Sequence, residues 1–140
     1  MYLIDTNVIS EARKKDKANT GVRQFFAGLT ASGDAAYLSA ITIGELRRGV
    51  ELIRHRGDVQ QAGLLERWLV DVVDEYQDRI LGLEAEAAQV WGKLRVPHPE
   101  NELDKQIAAI AIVHDLTVVT RNAAHFRSTG VKLLDPFSRD

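Results

Sequence analysis

The chain contains no cysteine, which removes disulfides, thiolate metal sites and cysteine nucleophiles from consideration. Four histidines are scattered along it, His55, His98, His114 and His125, and they match no zinc-binding spacing. Each is therefore read as a structural residue. Proline is scarce, at three residues, and no repeat, low-complexity tract or linker divides the chain. One domain over residues 1–140 is expected. The longest unbroken apolar run, Ile107 to Val113, is seven residues, against the roughly 20 that a membrane span needs. The first residues are neither basic nor continuously apolar, so no signal peptide is expected and a cytoplasmic location is. The glycine patterns of phosphate-binding, dinucleotide-binding and serine-hydrolase loops are missing as well. A net charge of −2 excludes a surface that is basic throughout and leaves local patches for any nucleic-acid contact.

What remains is a pattern of short apolar runs alternating with amphipathic ones. Strands are expected at residues 2–5, 35–38, 79–83, 116–119 and 131–134. Between them, helices are expected at 7–13, from Asn19 or Thr20 to Leu29, and from Ser39 to a left-handed stop at Gly57. The next is capped by Asp58 and carries Leu64, Leu65, Trp68, Leu69, Val72 and Val73 on one face. Two more are expected over 84–94 and, after the Pro97-His98-Pro99 break, from about Asn101, with Leu103, Ile107, Ile110 and Ala111 inward. Continuously apolar strands alternating with helices through short connections imply an α/β fold, a parallel sheet of about five strands covered on both faces.

In an open parallel sheet, ligands gather beyond the carboxyl ends of the strands. Asp5 stands at such an end, as do Ser39 and Thr120-Arg121-Asn122. Glu45 lies within two turns of the start of the Ser39 helix, and Asp104 lies in the first turn of the helix from Asn101. Each has a local explanation too. Asp5 suits a helix cap, Thr42-Ile43-Gly44-Glu45 a capping box, Asp104 the positive end of a helix dipole, and Thr120-Arg121-Asn122 a turn. Taken together they point further. Carboxylates about 4 Å apart repel by something like 4 kcal/mol per pair at an effective dielectric near 20. Three that converge need a shared proton, a basic partner or a cation, and an all-oxygen set suits Mg²⁺ or Mn²⁺.

The stretches LIDTNVIS, LSAITIGELRRGV, DKQIAAIAIVHDL, TVVTRNAAHF and LLDPF, in that order across essentially the whole chain, resemble the PIN-domain ribonucleases. More narrowly, they are similar to the VapC and FitB toxins of bacterial type II toxin–antitoxin pairs. The resemblance implies the PIN-like parallel sheet and puts the acidic residues that hold Mg²⁺ or Mn²⁺ at Asp5, Glu45 and Asp104. Asn7 and Thr120 match its polar neighbours of the metal, and its fourth acidic position falls on Asn122. That amide is a weaker ligand for a hard cation, which weakens the case for a second metal.

The implied reaction is hydrolysis of RNA phosphodiesters. Arg13, Lys14, Lys15 and Lys17, with Arg47 and Arg48, are candidates to meet the RNA backbone, and Arg121 stands closer to the acidic positions. The resemblance also implies a cognate antitoxin protein that inserts a basic segment into the acidic pocket, a homodimer, and a larger toxin–antitoxin complex. Val8 and Ile9, or part of the 64–73 segment, are candidates for those contacts.

Two other readings compete. A phosphatase of the haloacid-dehalogenase type needs a second aspartate two residues after the first, where this chain has Asn7. A catalytically silent PIN-fold module, using the acidic cluster only to grip a basic partner peptide, needs neither metal nor RNA.

Overall fold

Along each strand, successive side chains point to opposite faces of the sheet, and here both faces are covered. A computed structural model describes residues 1–138. Its five strands are β1 (Tyr2–Ile4), β2 (Ala36–Ser39), β3 (Ile80–Leu81), β4 (Thr117–Val119) and β5 (Leu133–Leu134). They pair entirely in parallel in the order β3-β2-β1-β4-β5. Leu3 and Val118 enter one core with Ile107, Ile110, Ala111 and Phe126. Ile4, Leu38 and Val119 enter the other with Val8, Val22, Leu46, Val50 and Leu69. The double covering explains why the strands read as unbroken apolar runs. The expected α/β architecture is the one observed.

The helices are α1 (Thr6–Ala12), α2 (Thr20–Ser32), α3 (Ala40–His55), α4 (Val59–Tyr76), α5 (Ala85–Leu94), α6 (Glu102–Val113) and α7 (Ala123–Phe126). Their starts follow the capping chemistry of the sequence. Asn19 Oδ1 accepts from the Gly21 and Val22 amides, Ser39 Oγ from Thr42 N–H, and Asp58 Oδ1 from Gln61 N–H. Helix α2 continues three residues past Leu29, because the left-handed stop is Gly33, at φ 76°. Among the described residues, no helix is long and apolar enough to cross a membrane.

Several expected faces are corrected. Leu64 and Leu103 are 49% and 48% exposed, so the buried stripe of α4 is narrower and the buried face of α6 begins with Lys105, its apolar part with Ile107. Val8 and Ile9, candidates for a partner surface, are instead in the core against the sheet. In the 64–73 segment, Leu64 and Val70 do remain exposed.

The strand order sets the position of the site. The chain builds β1, β2 and β3 outward in one direction, then returns to place β4 on the other side of β1. The order therefore reverses between β1 and β4, which is where a doubly wound sheet opens a crevice at its carboxyl edge. Ile4 is in register with Val119. Asp5 and Thr120, each the next residue, emerge side by side at that crevice.

Candidate functional site

Asp5 caps α1 and is buried at 3% exposure. Its Oδ1 accepts from the Thr6 amide at 2.8 Å. Its Oδ2 accepts from Thr120 Oγ1 at 2.8 Å and from Asn7 Nδ2 at 3.3 Å. Asn7 is fixed in turn, because its Oδ1 accepts from the Arg121 amide at 3.0 Å. Thr120 Oγ1 accepts from the Asn122 amide at 3.0 Å, closing the turn expected at these residues. Capping and cluster membership thus coexist in Asp5, since the helix begins where the strand ends.

Burial pushes the Asp5 carboxyl up from 3.8 to about 6. The bonds from Thr120 and Thr6 pull it down, and the negative charges of Asp104 and Glu45 push it up further. Asp5 therefore feels the charges of both Glu45 and Asp104 across the carboxyl edge. No basic side chain pairs with Asp5 or Glu45 among the described residues.

Glu45 is not part of a capping box. Helix α3 starts at Ala40 and is capped by Ser39, so Thr42 lies inside it and is fully buried. Glu45 instead crosses to α1, where Thr6 Oγ1 donates to its Oε1 at 2.7 Å. Thr42 Oγ1 lies 3.1 Å from the same Thr6 hydroxyl and receives Ser39 Oγ at 3.3 Å. A hydroxyl chain from Ser39 through Thr42 to Thr6 thus links the end of β2 to Glu45. Asp104, in the first turn of α6, has His125 Nδ1 at 3.0 Å from its Oδ2.

Thr6 and His125 were missed by sequence reasoning. Thr6 carried a signal, its position beside Asp5 in the first motif. His125 carried little, because it sits on α7, a four-residue helix too short to show periodicity.

The basic residues divide. Arg121 is at the crevice, its guanidinium 4.8 Å from the centre of the Phe137 ring. Arg13 lines a cavity of about 200 Å³ shared with Thr6, Glu45, Leu65 and Trp68. Lys14 is paired with Glu11 at 2.9 Å. Lys15, Lys17 and Arg48 are exposed. Arg47 is turned away from Glu45, to Glu66 at 2.5 Å and Glu51 at 3.2 Å. Residues two apart on a helix do not share a face, so the α3 position that offers Glu45 to the crevice aims Arg47 at α4. Asn122 is exposed next to Thr120.

The donor set is all oxygen, carries uncompensated negative charge and fits a hard divalent cation. Among the described residues, no three acidic or histidine side chains come close enough to clasp such an ion by themselves. An ion such as Mg²⁺, which keeps several waters and uses one or two carboxylates together with substrate phosphate oxygens, does not require such a clasp.

Comparison with known proteins gives the family and the fold. The PIN domain family model matches residues 2–132. The toxin FitB of Neisseria gonorrhoeae is 33% identical, over 98% of this chain and 99% of its own. The VapC ribonuclease Y4jK of Sinorhizobium fredii is 27% identical, with 98% of each covered. The crystal structure of FitAcB from Neisseria gonorrhoeae superposes with a TM-score of 0.83 at 32% identity, covering 97% of this chain and 98% of that one.

Proposed function

The chain belongs to the PIN domain family, and from that premise we propose that it is a metal-dependent endoribonuclease acting as the toxin of a toxin–antitoxin pair. The observation that carries the reading is Asp5, a buried carboxylate at the sheet's switch point whose charge is opposed by Glu45 and Asp104 and matched by no basic side chain. A group in that position is held at a cost to the free protein, and a cation relieves it.

We assign the cation to Asp5, Glu45 and Asp104, directly or through water, with Asn7 and Thr120 fixing Asp5. When bound, Mg²⁺ or Mn²⁺ supplies charge neutralisation at a phosphate and acidifies a water. The remaining work belongs to the chain. Thr120, Asn7 and the Thr6 amide hold Asp5 in one orientation, and Thr6 Oγ1 holds Glu45. One of these carboxylates orients the attacking water. Arg121, braced on Phe137, meets the RNA backbone, and Asn122 takes the place of a fourth acid.

An antitoxin partner is supported by the toxin FitB, 33% identical to this chain, and by the FitAB structure bound to a DNA fragment, 29% identical. A basic antitoxin side chain would satisfy the same uncompensated carboxylates that a cation does. A homodimer within a larger toxin–antitoxin complex is part of the same reading.

The test is cleavage of mixed cellular RNA by the purified chain with Mg²⁺, with Mn²⁺ and with chelator, beside Asp5→Asn. Cleavage that requires the metal and is lost in the variant is expected. Cleavage that persists in chelator, or in the variant, refutes the assignment. Absence of cleavage together with absence of metal binding leaves the silent interaction module.

A further inference from the structure

Each acidic residue at the carboxyl edge has its own hydrogen-bond donor. Asp5 has Thr120, Asn7 and the Thr6 amide, and Glu45 has the Thr6 hydroxyl. For Asp104 the donor is the His125 ring, whose Nδ1 lies 3.0 Å from Oδ2. Asp104 Oδ1 makes no hydrogen bond to a described residue.

The same short segment supplies two of these donors. It leaves β4 at Thr120, turns through Asn122 and enters α7, where the His125 amide donates to the Asn122 carbonyl at 2.9 Å. Phe126, the next residue, is fully buried and anchors the helix in the core beside α6. His125 is therefore carried to Asp104 by the backbone that carries Thr120 to Asp5. The pair His98 and Glu100 is a contrast. At 3.6 Å, with both side chains more than 60% exposed, it lies outside hydrogen-bond range in the loop before α6.

We propose that His125 is a positioning residue for the cation site, its Nδ1–H holding one oxygen of Asp104 and leaving the other free for the cation or its water. This rests on the reading of the acidic edge given above. Partners that orient the ligands of a metal typically change metal affinity by 10- to 100-fold when removed. Their effect on stability is small when the pair is exposed, and the His125 side chain is 49% exposed.

Mn²⁺ binding to the purified chain without RNA, followed by the electron paramagnetic resonance of free Mn²⁺, separates the outcomes. His125→Ala is expected to weaken Mn²⁺ binding by roughly 10- to 100-fold with little change in the melting temperature of the metal-free protein. His125→Asn, whose amide N–H occupies the place of Nδ1–H, is expected to recover most of the loss. His125→Gln, whose amide extends to the place of Nε2, is not. Unchanged binding in His125→Ala, while the wild type binds, overturns this inference and leaves the site reading intact. Equal weakening in the Ala and Asn variants also overturns it, because a hydrogen bond is then not the cause. A wild-type chain that binds no Mn²⁺ overturns the site reading and this inference together.

Discussion

Replacing Asp5 by asparagine should make the metal-free protein more stable at neutral pH while destroying its activity. The folded carboxyl has a pKa near 6 where an unfolded one has 3.8. Between those values the folded state holds a proton that the unfolded state has lost. Stability therefore falls as pH rises from about 4 to about 6, and the deficit is complete above that. A shift of this size corresponds to about 3 kcal/mol. The 3% exposure of Asp5 makes burial, rather than solvent-screened charge, its main source.

The amide removes that deficit but disturbs the network. Its Oδ1 can still accept from Thr6 N–H, and its N–H₂ group faces Thr120 Oγ1, which must rotate its proton away. Asn7 Nδ2 then loses its bond to Asp5 Oδ2 and keeps only the longer one to Thr120 Oγ1 at 3.4 Å, at about 1 kcal/mol. The variant is expected to gain roughly 1–3 kcal/mol near pH 8 and to lose about 1 kcal/mol below pH 4. Urea unfolding of both proteins across that range measures it. The informative quantity is the difference between the two curves, because every other titrating group is common to both. That difference should open by about 3 kcal/mol as pH rises, and at pH 8 Mn²⁺ should close it by stabilising only the wild type. A difference that stays flat across the range refutes the claim that Asp5 is held against its own charge.

Three further outcomes follow from the same contacts. Thr120→Val removes the bond that lowers the Asp5 pKa and leaves the Asn122 amide without its acceptor. The acid limb of the pH–rate profile should move to higher pH, and a profile that does not move refutes the role of Thr120. In an Asp5→Asn background, Arg121→Gln should reduce the salt slope of binding to a labelled single-stranded RNA by about one ion. Arg47→Gln should not, because that guanidinium is engaged by Glu66 and Glu51; equal slopes for Arg121→Gln and wild type remove Arg121 from the RNA path. Gly21→Ala would set a Cβ 2.1 Å from the Pro136 carbonyl oxygen and 2.6 Å from Ser138 N. It should dislodge the 136–138 segment, release Phe137 from Arg121 and lower the melting temperature, all visible in the aromatic proton spectrum. An unchanged spectrum refutes the packing.

The legible part of this molecule is the part that local rules connect to the sheet. Apolar runs marked β1, β2 and β4, and the residue after each run marked the carboxyl edge, so Asp5, Ser39 and Thr120 were placed by counting. Glu45 followed because α3 starts at that same edge. What failed to show depends on contacts between elements distant in sequence. The Glu45 carboxylate is held by a hydroxyl 39 positions earlier, and Asp104 meets a histidine 21 positions later.

Burial on helix faces was misjudged for a related reason. Val8 and Ile9 sit on a helix so short that periodicity could not show which side met the sheet, whereas Leu103 lies on the exposed side of the first turn of α6, the turn in which Lys105 is buried. The same distinction separates the two arginines near the site. Arg47 and Arg121 looked alike as basic residues beside acidic motifs, yet α4 neutralises one with Glu66 while Phe137 braces the other at the crevice. Position in sequence located the charge, and only the packing of α3 on α4 and of the 136–138 segment on α2 decided which of these two guanidiniums has a carboxylate partner among the described residues and which rests on an aromatic ring.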